Sequence, residues 1–219
     1  KPVALIDGTI VFWNLEGKSP EVRRIFLQRY LTHLQELYNL RVPCAGFVSL
    51  PKSRELINLI KLGLCRFTMA NCIPCHATYT DFPCKQVDAL VDTHMVSKFL
   101  QPGQRTTLFA SSSTIVAEYP AHLRPLFCYL HVGKEIVRLE LPAWVADDQK
   151  ALDRICQVAL DQSEKGGGYP VCLAEAHEQA VVKGPDRDFF YQLLARIGFK
   201  QNKRLTMSQK SVKKRGIGI

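Results

Sequence analysis

Residues 2–13 read Pro2-Val3-Ala4-Leu5-Ile6-Asp7-Gly8-Thr9-Ile10-Val11-Phe12-Trp13. Pro2 to Ile6 is an apolar run of strand length, punctuated by Asp7-Gly8. Thr9 to Trp13 is a second such run, which predicts a hairpin partner across the glycine turn. Ser19-Pro20-Glu21 then supplies a helix start, with Ser as N-cap and Pro at the first helical position. Val22, Phe26, Tyr30, Leu34 and Leu37 follow at helical spacing. Val42 to Leu50 reads as a buried strand. A hairpin beside a strand–helix–strand crossover predicts an α/β fold with a mixed sheet flanked by helices.

The rest of the chain extends that pattern. Ser53 is placed to cap a second helix, with Leu56, Leu59 and Ile60 on one stripe and Gly63 at its end. Cys65 to Cys84 has no periodicity and reads as an inserted loop. Val87, Val91 and Met95 predict a helix stopped by Pro102-Gly103. Thr106 to Ala110, Leu126 to Val132 and Glu135 to Leu141 read as strands; in the last, Val137, Leu139 and Leu141 alternate with polar residues. Pro142 ends it. A long helix is expected at about 146–162 with Leu152, Ile155 and Ala159 inward. Gly166-Gly167-Gly168 is a joint, followed by helices near 172–182 and 186–196, the latter ended by Gly198. No repeat is visible, so residues 1–219 are read as one domain.

Of the 219 residues, 47% are hydrophobic, as in a folded globular chain. No apolar run approaches the ~20 residues of a membrane span. The net charge of +9 is concentrated at the C-terminus. Lys200, Lys203, Arg204, Lys210, Lys213, Lys214 and Arg215 fall within the last 20 residues, with no acidic residue among them. Such a segment either attracts a polyanion and releases its counterions or is simply solvated. Among eight cysteines, Cys44, Cys128, Cys156 and Cys172 sit in apolar or periodic stretches. They read as small buried hydrophobes of a reducing, cytoplasmic compartment. Cys65, Cys72, Cys75 and Cys84 cluster, with His76 beside Cys75. Cys72-Ile-Pro-Cys75 suits a structural Zn²⁺ site. Free thiols and a disulfide pair are the alternatives.

Several residues carry potential chemistry. Asp7 follows an apolar strand and precedes a glycine, which suits either a hard-cation ligand or a turn aspartate. Asp7-Gly8-Thr9 resembles the haloacid-dehalogenase phosphatases, but their nucleophilic aspartate would fall at Leu5, which cannot attack phosphorus. Glu55 opens the second helix beside Lys52 and Arg54, where a glutamate also complements the helix dipole. Asp88 and Asp92 are four apart and share one side of the expected helix. His94 falls near the apolar stripe and reads as packed. Tyr169 follows the glycine joint. His177 is an imidazole available to a metal or a proton, or a satisfied helix histidine.

Taken together, several stretches resemble the NurA nuclease family. They are Ala4 to Thr9, Gly46 to Glu55, Leu90-Val91-Asp92 with Leu100 to Arg105, Glu135 to Pro142, and Gly168-Tyr169-Pro170 with Ala176-His177. They occur in the family's order along nearly the whole chain, and the Tyr169–His177 pair, eight apart, is the most specific. The resemblance implies an RNase H-like core and a site of Asp7, Glu55, Asp92, Tyr169 and His177. Asp7, Glu55, Asp92 and His177 would hold Mn²⁺ or Mg²⁺, and Tyr169 would position phosphate or water. It also implies DNA as substrate, 5′-to-3′ exonuclease and single-strand endonuclease activity in DNA end resection and repair, a homodimer, and docking on a hexameric HerA-like ATPase. Lys52, Arg54, Arg105 and Lys210, Lys213, Lys214 and Arg215 would contact the DNA backbone. The Cys65–Cys84 insertion departs from the shorter members. Two other classes stay open. One is a non-catalytic DNA-binding adaptor. The other is a metal-dependent phosphatase of small substrates, which would have no use for the basic tail.

Overall fold

The computed structural model describes residues 2–65, 72, 75, 82–181 and 184–200. Ala4–Asp7 is strand β1 and Cys44–Val48 is strand β2; they run parallel, with Asp7 opposite Phe47. Parallel neighbours need a crossover, and helix α1, Pro20–Asn39, makes it. Ser19 caps α1 as its sequence predicts, accepting from the Val22 N–H at 3.4 Å. The hairpin expected over 9–13 does not form. Parallel β2 takes the ladder of β1, and Trp13–Leu15 closes into a short 3₁₀ turn. The Thr9 hydroxyl and Ile10 N–H are satisfied by the Glu140 carboxylate in place of a strand partner.

Helix α2 is Glu55–Gly63 and α3 is Asp92–Val96. Phe109–Ala110 is β3, Thr114–Ala117 is α4 and Pro125–His131 is β4. Ile136–Pro142 is β5, followed by α5, Ala143–Ala146, and α6, Gln149–Lys165. Val171–Ala180 is α7 and Gly184–Lys200 is α8. The sheet order is β1-β2-β5-β4-β3, with all pairs antiparallel except β1–β2. This is an α/β fold with a mixed sheet flanked by helices, consistent with the RNase H-like arrangement. The chain divides into two compact units, residues 1–175 and 176–219. Among the described residues no helix is long and apolar enough to cross a membrane.

One face of the sheet carries Ala45, Phe47, Cys128, Leu130, Val137, Leu139 and Leu141, packed against Leu152, Ile155 and Ala159 of α6 as the helical spacing predicts. The other face carries two clusters. Leu27 and Leu34 of α1 pack with Cys44 and Tyr119; Leu56 and Val96 pack with Phe127 and Tyr129.

Four local expectations are corrected. The inward face of α1 centres on Leu27 and Leu34, while Phe26 is 59% exposed. On α2, Leu56 and Ile57 are buried and Leu59 is exposed. The helix expected through Val87, Val91 and Met95 is two pieces, a 3₁₀ turn Pro83–Val87 and α3. Asp88 and Asp92 therefore do not share a helix face. Helix α8 runs through Gly198 to Lys200, since a lone glycine costs a helix only about 1 kcal/mol.

Candidate active site

The centre of the site is the turn where β1 ends. Gly8 adopts φ +91°, which L side chains rarely take. Its N–H donates to the Phe47 carbonyl at 3.0 Å, holding the turn against β2. Gly46 of β2 permits that approach, because a Cβ there would lie 2.7 Å from the Gly8 carbonyl oxygen. Asp7 is exposed at the strand end. Its partner in register is Phe47, so the two-residue period aims Asp7 to the α6 side of the sheet.

Tyr169 meets Asp7 there. Its hydroxyl donates to Asp7 Oδ1 at 2.7 Å, and its ring stands edge-on to Phe47 with centroids 5.6 Å apart. Burial, then the hydrogen bond to and charge of Asp7, push the phenol well above its ordinary range; Cys172 and Glu135 add to the shift. Tyr169 is therefore a neutral donor at working pH.

On the opposite side of the sheet the turn continues into a buried charge network. Glu140 Oε2 accepts from the Thr9 hydroxyl at 2.6 Å and the Ile10 N–H at 3.0 Å. Glu140 Oε1 accepts from Arg138 Nε at 2.9 Å, and Arg138 Nη1 pairs with Glu55 Oε1 at 2.8 Å. Arg138 lies over the Phe127 ring at 3.6 Å. Burial opposes its charge, but Glu140 and Glu55 outweigh that and its pKa is raised. All seven residues of β5 are buried, so Arg138 and Glu140 do not form the solvated face that their alternation suggests. Sequence reasoning missed both. The available signal was a pair of opposite charges two apart in a strand flanked by two others.

Asp92 is fully buried. Its Oδ1 accepts from the Ile57 N–H at 2.9 Å and its Oδ2 from the Tyr129 hydroxyl at 2.7 Å. It thus satisfies an N-terminal N–H of α2, the role expected of Ser53. The Ser53 hydroxyl instead bonds the Tyr129 hydroxyl at 2.8 Å. Burial, opposed in part by Ser53 and reinforced by Asp92, raises the Tyr129 phenol. Asp88 lies outside this arrangement, paired with Lys61 and Arg54.

A pocket of about 570 Å³ opens beside the turn, lined by Thr9, Trp13, Lys52, Arg54, Glu55 and Arg138 among others. Arg105 is elsewhere, bridged to Leu130 and 3.8 Å from Asp153. His177 is exposed on α7, in the second unit. Lys210, Lys213, Lys214, Arg215 and His76 lie outside the described residues. His94 is exposed rather than packed, and Cys172 is exposed rather than buried.

The structure thus brings Asp7 to Tyr169, and Glu55 to Arg138, but commits Asp92 to α2. Among the described residues no three His, Cys, Asp or Glu side chains are gathered to hold a metal ion. Cys65, Cys72, Cys75 and Cys84 are not joined in a disulfide. Partial burial, then Cys84, Cys65 and Cys72, raise the Cys75 pKa, so the four lie within electrostatic reach of one another.

No curated protein and no solved structure matches the chain. The family model of the NurA domain matches residues 1–182 of the 219. That stretch includes the Asp7 turn, Glu55, Asp92, β5, Tyr169 and His177, and on this match the chain belongs to the NurA domain family, a nuclease family linked to DNA processing.

Proposed function

We propose that this chain is a DNA phosphodiester hydrolase whose working edge is the Asp7 turn. The observation that carries the reading is the Asp7–Tyr169 contact, between residues 162 apart in the chain, at the end of a strand whose following turn, Gly8-Thr9, lines a pocket that also holds Lys52 and Arg54. Lys52 and Arg54 would neutralise phosphate charge as a strand enters the pocket. Tyr169, kept neutral, would donate to Asp7 in the resting enzyme and to a phosphate oxygen or water when DNA displaces that contact. Arg138 and Glu140 would keep the turn and Glu55 in register. Dependence on Mn²⁺ or Mg²⁺, a role for His177, 5′-to-3′ and single-strand endonuclease activity in end resection and repair, a homodimer, docking on a HerA-like ATPase, and Zn²⁺ at the four cysteines are finer parts of the same proposal.

A second reading is a non-catalytic DNA-binding adaptor. The commitment of Glu55 to Arg138 and of Asp92 to α2 favours it. Degradation of end-labelled single- and double-stranded DNA, with Mn²⁺ or Mg²⁺ against a chelator, separates the two. Cleavage that needs the metal and vanishes in Asp7→Ala, at unchanged DNA affinity, supports the nuclease. DNA binding without cleavage under either metal would leave the adaptor.

A further inference from the structure

We propose that Trp13 is a stacking platform for one unpaired nucleobase of a DNA strand held in the pocket beside the Asp7 turn. The inference rests on the reading of that edge as DNA-handling and adds the element that would hold a base.

Trp13 is half-buried and lines the pocket of about 570 Å³ together with Lys52 and Arg54. Its ring is oriented by hydrogen bonding. The indole N–H donates to Thr9 Oγ1 at 3.1 Å, and the Thr9 hydroxyl donates to Glu140 Oε2 at 2.6 Å. Glu140 is fixed in turn by Arg138 at 2.9 Å. The indole is therefore set relative to the Asp7 turn before any ligand arrives, which lowers the ordering cost of binding.

The chain has two tryptophans. Trp144 meets the ring of Tyr38 edge-on, with centroids 5.5 Å apart. Among the described residues no aromatic ring stacks on Trp13. Part of the indole packs against the cluster of Val11, Leu15 and Leu27, and the part that lines the pocket is the π-surface that a base would use. Cations within the same pocket suit the phosphates on either side of that base. A base inside a duplex cannot present its face, so the occupant is a strand whose base has left the stack.

The test uses the full chain. In wild type and in a Trp144→Phe background, indole fluorescence is followed while an oligo-dT or an abasic oligomer of equal length is added. Stacking predicts quenching by oligo-dT and little by the abasic strand. Trp13→Ala should weaken oligo-dT binding about 10- to 100-fold, and Trp13→Phe should restore most of it. Binding of the abasic strand should change little in either variant. Equal quenching by both strands, or unchanged oligo-dT affinity in Trp13→Ala, overturns the stacking role. If wild type cleaves DNA and only this result fails, the nuclease reading stands alone. If wild type neither binds nor cleaves DNA, both fall.

Discussion

Tyr169 and Asp7 lie near opposite ends of the first unit's sequence, and their contact at 2.7 Å turns an exposed strand-end carboxylate into part of a defined site. Both residues are legible as candidates, because one follows an apolar run at a glycine and the other follows a glycine joint. Their contact is not, since it depends on how residues far apart in sequence are brought together. Asp92 makes the complementary point. Four residues after Asp88 in an expected helix, Asp92 reads as a metal ligand or a solvated side chain, yet here it is buried and holds α2 by its Ile57 N–H. Cys44 is buried, as its apolar neighbours in sequence predict, and burial pushes its pKa from 9.0 up to about 12. A thiol raised in the folded state contributes stability below its unfolded pKa and loses it as pH rises toward the folded value. Between about pH 9 and about pH 11 this group should lower unfolding free energy by roughly 1.4 kcal/mol per pH unit. Urea melts across that window should therefore fall less steeply for Cys44→Ala than for wild type, and parallel slopes would refute the assignment.

Strand β5 shows how an element's role is set by its neighbours. Its alternation of Val137, Leu139 and Leu141 with Arg138 and Glu140 fits a half-solvated strand. Pairing with β2 on one side and β4 on the other, and cover by α2, bury both charges instead. Once buried, each needs the other: Arg138 carries Glu140 and Glu55, and Glu140 carries the Thr9 turn. Arg138→Met should cost about 3–5 kcal/mol in urea denaturation, because it leaves Glu140 without its cation. Adding Glu140→Gln should recover a substantial part of that loss, as expected for coupled neighbours. Additive losses, or an Arg138→Met cost below about 1 kcal/mol, would show that the pair is not coupled as the distances indicate. Helix α1 is the contrasting case. Its cap and proline are local signals, and it starts where they place it, whereas which of its residues face inward was decided by the sheet it covers.

For the whole molecule, charge is the property most directly carried by composition. The net +9 and the cations of the last 20 residues belong to the sequence irrespective of fold. Deleting residues 210–219 should weaken DNA binding and reduce the salt slope of log affinity. The reduction should be up to about 0.7 for each single-strand phosphate that the tail neutralises. A small phosphodiester substrate should be hydrolysed as before. Unchanged DNA affinity and salt slope would assign the tail to solvation alone. The sequence by itself determined the alternation of strands and helices, the start of α1, the inward face of α6 and the candidate status of Asp7 and Tyr169, because caps, turns and hydrophobic periods act over a few residues. Only the tertiary structure decided that β1 pairs with β2 rather than with residues 9–13. It alone placed Arg138 and Glu140 beneath the turn and committed Glu55 and Asp92 to partners on other elements. Burial and the pairing of buried charges depend on which elements cover one another, and no local spacing encodes that.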